Sequence, residues 1–152
     1  MAKKKNKSNP VKKPAAKKNA APKAAPTTTM IKTGKGPGPR EVGEKLVALA
    51  NAGKFREVEE QLWSPNIVSI EGFGQAFHGR KAVEAKNRGW YEQNEVAGFA
   101  AEGPFVGATG FAIKMKIQVR EKATGKITDM NEIGVYTVLN GKIVQEEFMY
   151  GA

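Results

Sequence analysis

Two adjacent carboxylates near the carboxyl terminus are the first candidates for chemistry. The stretch "VYTVLNGKIVQEEFMYGA" places Glu146 and Glu147 side by side in a run of β-branched and aromatic residues. Asn140-Gly141 separates this run from a similar one, and an Asn-Gly pair in that position predicts a β-hairpin. Neighbouring side chains on a strand point to opposite faces, so one carboxylate should face the interior. A carboxylate on an apolar inner face has a raised pKa, which suits it to general acid or base catalysis.

The face that each carboxylate occupies depends on the preceding strands. "FAIKMKIQVRE" alternates apolar with mostly polar residues, so the apolar set that includes Met115 should face the core. We expect the "KATGK" turn to pair Glu121 with Ile127. On the opposite face, this register pairs Lys116 with Glu132 as an exposed ion pair.

Carried through the Asn-Gly turn, this register directs Glu146 inward and Glu147 outward. It pairs Val135 with Glu146 and Ile133 with Phe148, and a shift by one residue would exchange the two carboxylates. The predicted inner face of the last hairpin consists of Ile133, Val135, Thr137, Leu139, Val144, Glu146, Phe148 and Tyr150. Glu146 is therefore the candidate catalytic residue. The alternative is that it reaches water at an open end of the domain and has no chemical role.

The outer face of the same hairpin predicts an association between copies of the chain. Its apolar side chains would face water in a monomer, which is unusual for a soluble protein. We therefore expect a homodimer that buries this patch, which consists of Tyr136, Val138, Ile143 and Met149.

A third helix carries further candidates for ligand contact in "HGRKAVEAKNRGWYEQN". Trp90 and Tyr91 could cap a cavity with an apolar body and a polar tip, or they could simply belong to the core. His78, the only histidine, could transfer a proton, or it could bond to backbone or face solvent. The complete set of candidate ligand-binding residues is Trp90, Tyr91, Met115, Ile133, Val135, Phe148, Tyr150 and His78.

The elements that must position these residues follow a simple order. "REVGEKLVALANAG" and "KFREVEEQLWSP" show helical spacing, and Gly53 lies where a C-cap glycine belongs. "NIVSIEG" indicates a short strand before the third helix. Four long strands are predicted at roughly 96–106, 109–121, 127–139 and 142–150. Helices segregated from antiparallel strands predict an α+β fold whose sheet is covered by helices on one face.

The amino-terminal segment has a different composition. Residues 1–40 carry eleven Lys, one Arg and no acidic residue, whereas residues 41–152 carry thirteen basic and fifteen acidic residues. We predict a disordered tail over residues 1–39 and a folded domain over residues 40–152. The tail could bind nucleic acid without sequence preference by releasing counterions. It could equally be a solubility segment, or translation could begin at Met30.

Composition also excludes several classes of protein. The chain has no Cys and one His, which argues against disulfides and zinc, and no cofactor is expected. Neither a signal peptide nor a membrane span is apparent, so we expect a soluble cytoplasmic protein.

The order of elements, with "FHGRKAV" opening the third helix and "YTVLNGKIVQEEFMY" closing the chain, resembles the SnoaL-like group of the nuclear transport factor 2-like superfamily. The resemblance covers about residues 40–150. It implies a cone in which a curved sheet wraps around three helices and leaves an apolar cavity. It also implies one or two carboxylates inside that cavity, with Glu146 at a matching position on the last strand.

The resemblance leaves three functions open. One is an isomerase, cyclase, dehydratase or hydrolase in which Glu146 moves a proton. Another is a binding module without catalysis, favoured because Val135 and Thr137 occupy the predicted positions of a second inner carboxylate. The last is a dimerisation domain whose basic tail binds nucleic acid.

Overall fold

The computed structural model describes residues 34–150, so the predicted disordered tail lies almost entirely outside the described residues. The elements are α1 (Pro39–Asn51), α2 (Phe55–Leu62), β1 (Trp63–Ile70), β2 (Ala76–His78), α3 (Arg80–Gln93), β3 (Asn94–Val106), β4 (Gly110–Glu121), β5 (Ile127–Leu139) and β6 (Lys142–Met149). The three helices and the curved sheet form the predicted α+β cone. None of the helices in this part of the chain is long and apolar enough to cross a membrane.

The first helix begins and ends where local sequence signals place it. Pro39 occupies its first turn, where a missing backbone N–H costs nothing. At the other end, the Gly53 N–H donates to the Ala50 carbonyl and the Lys54 N–H donates to the Leu49 carbonyl, both at 2.9 Å. This Schellman motif needs a left-handed residue, and Gly53 adopts φ 72°. The predicted C-cap is confirmed.

The sheet contains six strands in the order β2-β1-β6-β5-β4-β3. Its neighbouring strands are antiparallel except for β1 and β6, which run parallel, so the sheet is mixed at one ladder. Irregular pairing interrupts several ladders, and bulges of this kind bend a sheet. Helix α1 packs on β3 and β4, and α3 packs on β1. The core between the helices and the sheet contains Val42, Leu46, Leu62, Ile67, Val83 and Ile113.

The register between β4 and β5 differs from the prediction by one residue. Arg120, not Glu121, lies opposite Ile127, and Met115 lies opposite Glu132. The turn is one residue shorter than expected because Glu121 pairs with Lys126 instead of Ile127: the Glu121 N–H donates to the carbonyl of Lys126 at 2.9 Å. A shift of one residue exchanges the two faces of a strand.

The shift reverses every predicted position on β5. Ile133 and Val135 were predicted to line the cavity, but they lie on the outer face with 38% and 36% of their surface exposed. Tyr136 and Val138 were predicted to lie outside, but they are 5% and 2% exposed in the core. The prediction that Tyr136 and Val138 belong to an outer patch that forms a dimer is therefore wrong.

An extra residue in β6 cancels this shift, so that Glu146 faces inward as predicted. The Asn140-Gly141 turn forms with φ 52° and 75°, as the Asn-Gly signal predicts. Beyond it, Val138 pairs with Ile143 but Thr137 pairs with Gln145, so β6 has one extra residue. Glu146 consequently lies opposite Tyr136 and points inward. Ile143 is fully buried too, and Met149 alone of the predicted outer patch is exposed.

Candidate functional site

A cavity with two adjoining chambers lies between the helices and the concave face of the sheet. The outer chamber has a volume of about 460 Å³, and the residues that concern its chemistry are Glu71, Lys86, Trp90, Glu132, Phe148 and Tyr150. The inner chamber has a volume of about 150 Å³, and its corresponding residues are Trp63, Lys86, Met115, Tyr136, Glu146 and Phe148. Lys86, Met115 and Phe148 belong to both walls. A ligand that enters the outer chamber therefore approaches the inner one along a largely apolar surface.

Glu146 is the buried carboxylate of the inner chamber. Only 4% of its surface is exposed. Burial raises the pKa of Glu146 from 4.5 to about 7, while the Ser69 hydroxyl, the Lys86 charge and the Trp63 indole oppose that rise. Ser69 lies beside it on the parallel strand β1 and is fully buried. At neutral pH the carboxyl group therefore populates both protonation states, and it can accept or release a proton.

The indole of Trp63 is the second unusual group of the inner chamber. Its Nε1–H is buried and has no hydrogen-bond partner among the described residues. It lies close enough to Glu146 to favour the carboxylate form, although the two groups do not meet hydrogen-bond geometry. Buried donors are nearly always paired, so this N–H has capacity for one acceptor.

Lys86 connects the two chambers. Its Nζ donates to the Ser69 hydroxyl at 3.3 Å and forms an ion pair with Glu71. The ammonium also lies 5.7 Å and 5.6 Å from the ring centres of Phe77 and Phe148. Tyr150 completes the network because its hydroxyl donates to the other oxygen of Glu71 at 2.8 Å. The side chain is thus held by a carboxylate, a hydroxyl and two aromatic faces.

Glu132 is a cavity residue that the sequence prediction missed. It was expected on the outer face in a pair with Lys116, but Lys116 lies opposite Asn131 and Glu132 lines the outer chamber. Burial and the charge of Glu71 raise the pKa of Glu132, and Lys86 lowers it. The predicted lack of a second inner carboxylate favoured a binding module without catalysis. The position of Glu132 removes that reason. The sequence would have placed Glu132 in the cavity only if the length of the "KATGK" turn had been predicted correctly.

Tyr136 is the other missed residue, since it too was assigned to the outer face. Its ring stacks on Phe111 with centres 4.9 Å apart and planes 15° apart. A Cβ atom at Gly134 would lie 2.7 Å from the Tyr136 hydroxyl, so the glycine leaves the space that the phenol occupies. Burial and the charges of Glu146 and Glu132 raise the pKa of Tyr136 well above 10. The phenol therefore remains a neutral hydrogen-bond donor.

The remaining predicted site residues separate into two groups. His78 is exposed on β2 and lines neither chamber, whereas its neighbour Phe77 lines the outer one. Ile133 and Val135 lie on the opposite side of the sheet because the β4–β5 register differs from the prediction by one residue. The residues that do line the cavity are Trp90, Tyr91, Met115, Phe148 and Tyr150.

Similarity to known proteins agrees with this architecture. The family model of the SnoaL-like domain matches residues 38–150. A candidate SnoaL-like polyketide cyclase from Mesorhizobium loti is 36% identical, with a TM-score of 0.68, over 72% of this chain and 97% of that one. A candidate isomerase from Bacillus subtilis is 17% identical, with a TM-score of 0.60, over 74% of this chain and 86% of that one, and it shows similarity of fold alone. Among curated proteins there is no significant match.

Proposed function

Because the chain belongs to the SnoaL-like domain family, we propose that its cavity binds a small amphipathic molecule and that Glu146 moves a proton on that molecule. The observation that carries the proposal is a carboxyl group that is almost wholly buried at the inner end of an apolar cavity. Carboxyl groups are rarely buried to this extent without a salt bridge, and a buried one with a raised pKa in a cavity is a candidate for proton transfer.

The chemistry that fits best is isomerisation through proton transfer next to a carbonyl group. Such a reaction needs one group that removes a proton and returns it, and an acid with a pKa of about 7 does both. Tyr136 adds a neutral donor on the same wall, suited to an oxygen atom that gains negative charge. A hydrolase or dehydratase would need a positioned water or leaving group in addition.

Proton exchange tests this proposal without knowledge of the natural substrate. Cyclohexanone and α-tetralone would be incubated with the protein in D2O, and loss of the α-proton signal would be followed by NMR. We expect catalysed exchange in the wild type and a fall of roughly 10²–10⁴-fold in Glu146→Gln, the usual contribution of a general base. Glu147→Gln is the matched control, since its side chain points to the other face.

Two results would count against the proposal. Equal exchange in the wild type and Glu146→Gln would show that Glu146 is not the base. No exchange above the buffer rate with either ketone would favour a cavity that binds ligands without catalysis.

A second proposal concerns residues 1–40, because their twelve positive charges and absence of acidic residues are a recognisable electrostatic feature. We propose that this segment contacts nucleic acid through phosphates, without sequence preference. DNA affinity that falls steeply with salt and is mostly lost in a protein that starts at Met30 would support this proposal.

A further inference from the structure

The charged groups of the cavity do not balance. Within residues 34–150, the side chains with formal charge that line the two chambers are Glu59, Glu71, Glu132, Glu146 and Lys86. Four carboxylates therefore share the cavity with one ammonium. Burial raises the pKa of Glu59, Glu132 and Glu146, which indicates that none of the three has a cation sufficient to offset the loss of water.

Lys86 illustrates the environment that this cavity offers to an ammonium group. The group forms an ion pair with Glu71 while it lies over the rings of Phe77 and Phe148. A cation over an aromatic face gains roughly 0.5–2 kcal/mol, with the larger values in desolvated sites. Because the charge of Lys86 is already paired with Glu71, it is not available to pair with the other carboxylates of the cavity.

Glu132 remains available beside this arrangement. Within the described part of the chain it makes no hydrogen bond or salt bridge, although it faces the outer chamber. Tyr150 cannot satisfy it, because the tyrosine hydroxyl donates to Glu71. Apolar and aromatic side chains form most of the surrounding wall, including Trp90, Tyr91, Phe99, Met130 and Phe148. A carboxylate in such a wall is stabilised most by a cation that brings its own apolar surface.

From this geometry we propose that the outer chamber binds an amphipathic amine, with its ammonium group at Glu132 and its apolar body against the aromatic walls. The inference rests on the proposed function, because it names the chemical class of ligand for the same cavity. A volume of about 460 Å³ lies within the range of roughly 300–1,000 Å³ found for small-molecule sites. An anionic ligand would meet an excess of carboxylates over the single ammonium group of Lys86, and a neutral one would leave Glu132 unpaired.

A pair of probes with the same shape isolates the contribution of charge. Phenyltrimethylammonium and tert-butylbenzene differ by one positive charge, and neither donates a strong hydrogen bond. Binding to the full-length protein would be measured by NMR titration. We expect the cation to bind at least about tenfold more tightly, and Glu132→Gln to remove most of that preference. Glu95→Gln, an exposed carboxylate on β3, should leave it unchanged.

The outcomes separate this inference from the proposed function. Equal affinity for the two probes, a preference that survives in Glu132→Gln, or no binding of either probe would each overturn the inference. Ketone exchange that depends on Glu146 would still support the proton-transfer proposal in any of those cases. Binding of the cation with no ketone exchange would instead support an amine-binding cavity without the isomerase. Circular dichroism of Glu132→Gln would confirm that loss of preference is not loss of fold.

Discussion

Removal of the buried charge at position 146 should change how stability depends on pH. The pKa of Glu146 rises from 4.5 to about 7 on folding, so the folded state binds more protons than the unfolded state between those values. The free energy of unfolding therefore falls as pH rises through that window. A pKa difference of this size corresponds to roughly 3 kcal/mol, and the side chain is too buried for solvent to screen much of it.

The substitution Glu146→Gln isolates this contribution. Neutral Glu and Gln have nearly the same shape, so the two proteins should have similar stability near pH 4.5. By pH 8 the variant should be more stable than the wild type by about 2–3 kcal/mol, since Gln has no charge to bury. Urea denaturation at intervals between pH 4.5 and 8 would measure the difference directly.

The difference between the two proteins matters more than either curve alone, because the pKa of Glu59 and that of Glu132 are also raised by burial. Those contributions are common to both proteins and largely cancel. Glu147→Gln should follow the wild type across the whole range. A difference between wild type and Glu146→Gln that stays flat from pH 5 to pH 8 would refute the assignment of a raised pKa to this carboxyl group.

Three further predictions concern packing, association and the tail. Gly134→Ala should lower the free energy of unfolding by about 1–3 kcal/mol, because the new Cβ would lie 2.7 Å from the hydroxyl of the buried Tyr136. A urea denaturation curve that matches that of the wild type would contradict this prediction. If the exposed outer face mediates a homodimer, Val135→Lys should shift sedimentation toward the monomer, and a monomeric wild type at micromolar concentration would rule the dimer out. If residues 1–40 bind nucleic acid, affinity for DNA should fall steeply with salt, and a protein that starts at Met30 should lose most of it; equal affinity in the two proteins would exclude the tail.

Local signals in the sequence identified the three helices, the four long strands and several of their ends, but not the short strand β2 or the end of α2 at Leu62. Gly53 marks the end of α1 because only glycine adopts the left-handed cap without strain, and that preference does not depend on the rest of the fold. Asn140-Gly141 marks the last hairpin for the same reason. The alternation in "FAIKMKIQVRE" likewise identified the inner face of β4, where Ile113 and Met115 are buried.

Strand register was decided by tertiary packing. The "KATGK" segment is compatible with two turn lengths that differ by one residue, and no local preference separates them. Burial of Tyr136 and Val138 against the core distinguishes the two, since the alternative register would expose both side chains. The extra residue in β6 then reverses the shift, so Glu146 points inward although the route to that prediction contained two errors. Glu132 and Tyr136 lie on β5, where the β4–β5 register differs from the prediction and the extra residue of β6 has no effect, so the sequence assigned both to the wrong face. The face of a side chain depends on the pairing of whole strands, which is fixed only when the core forms.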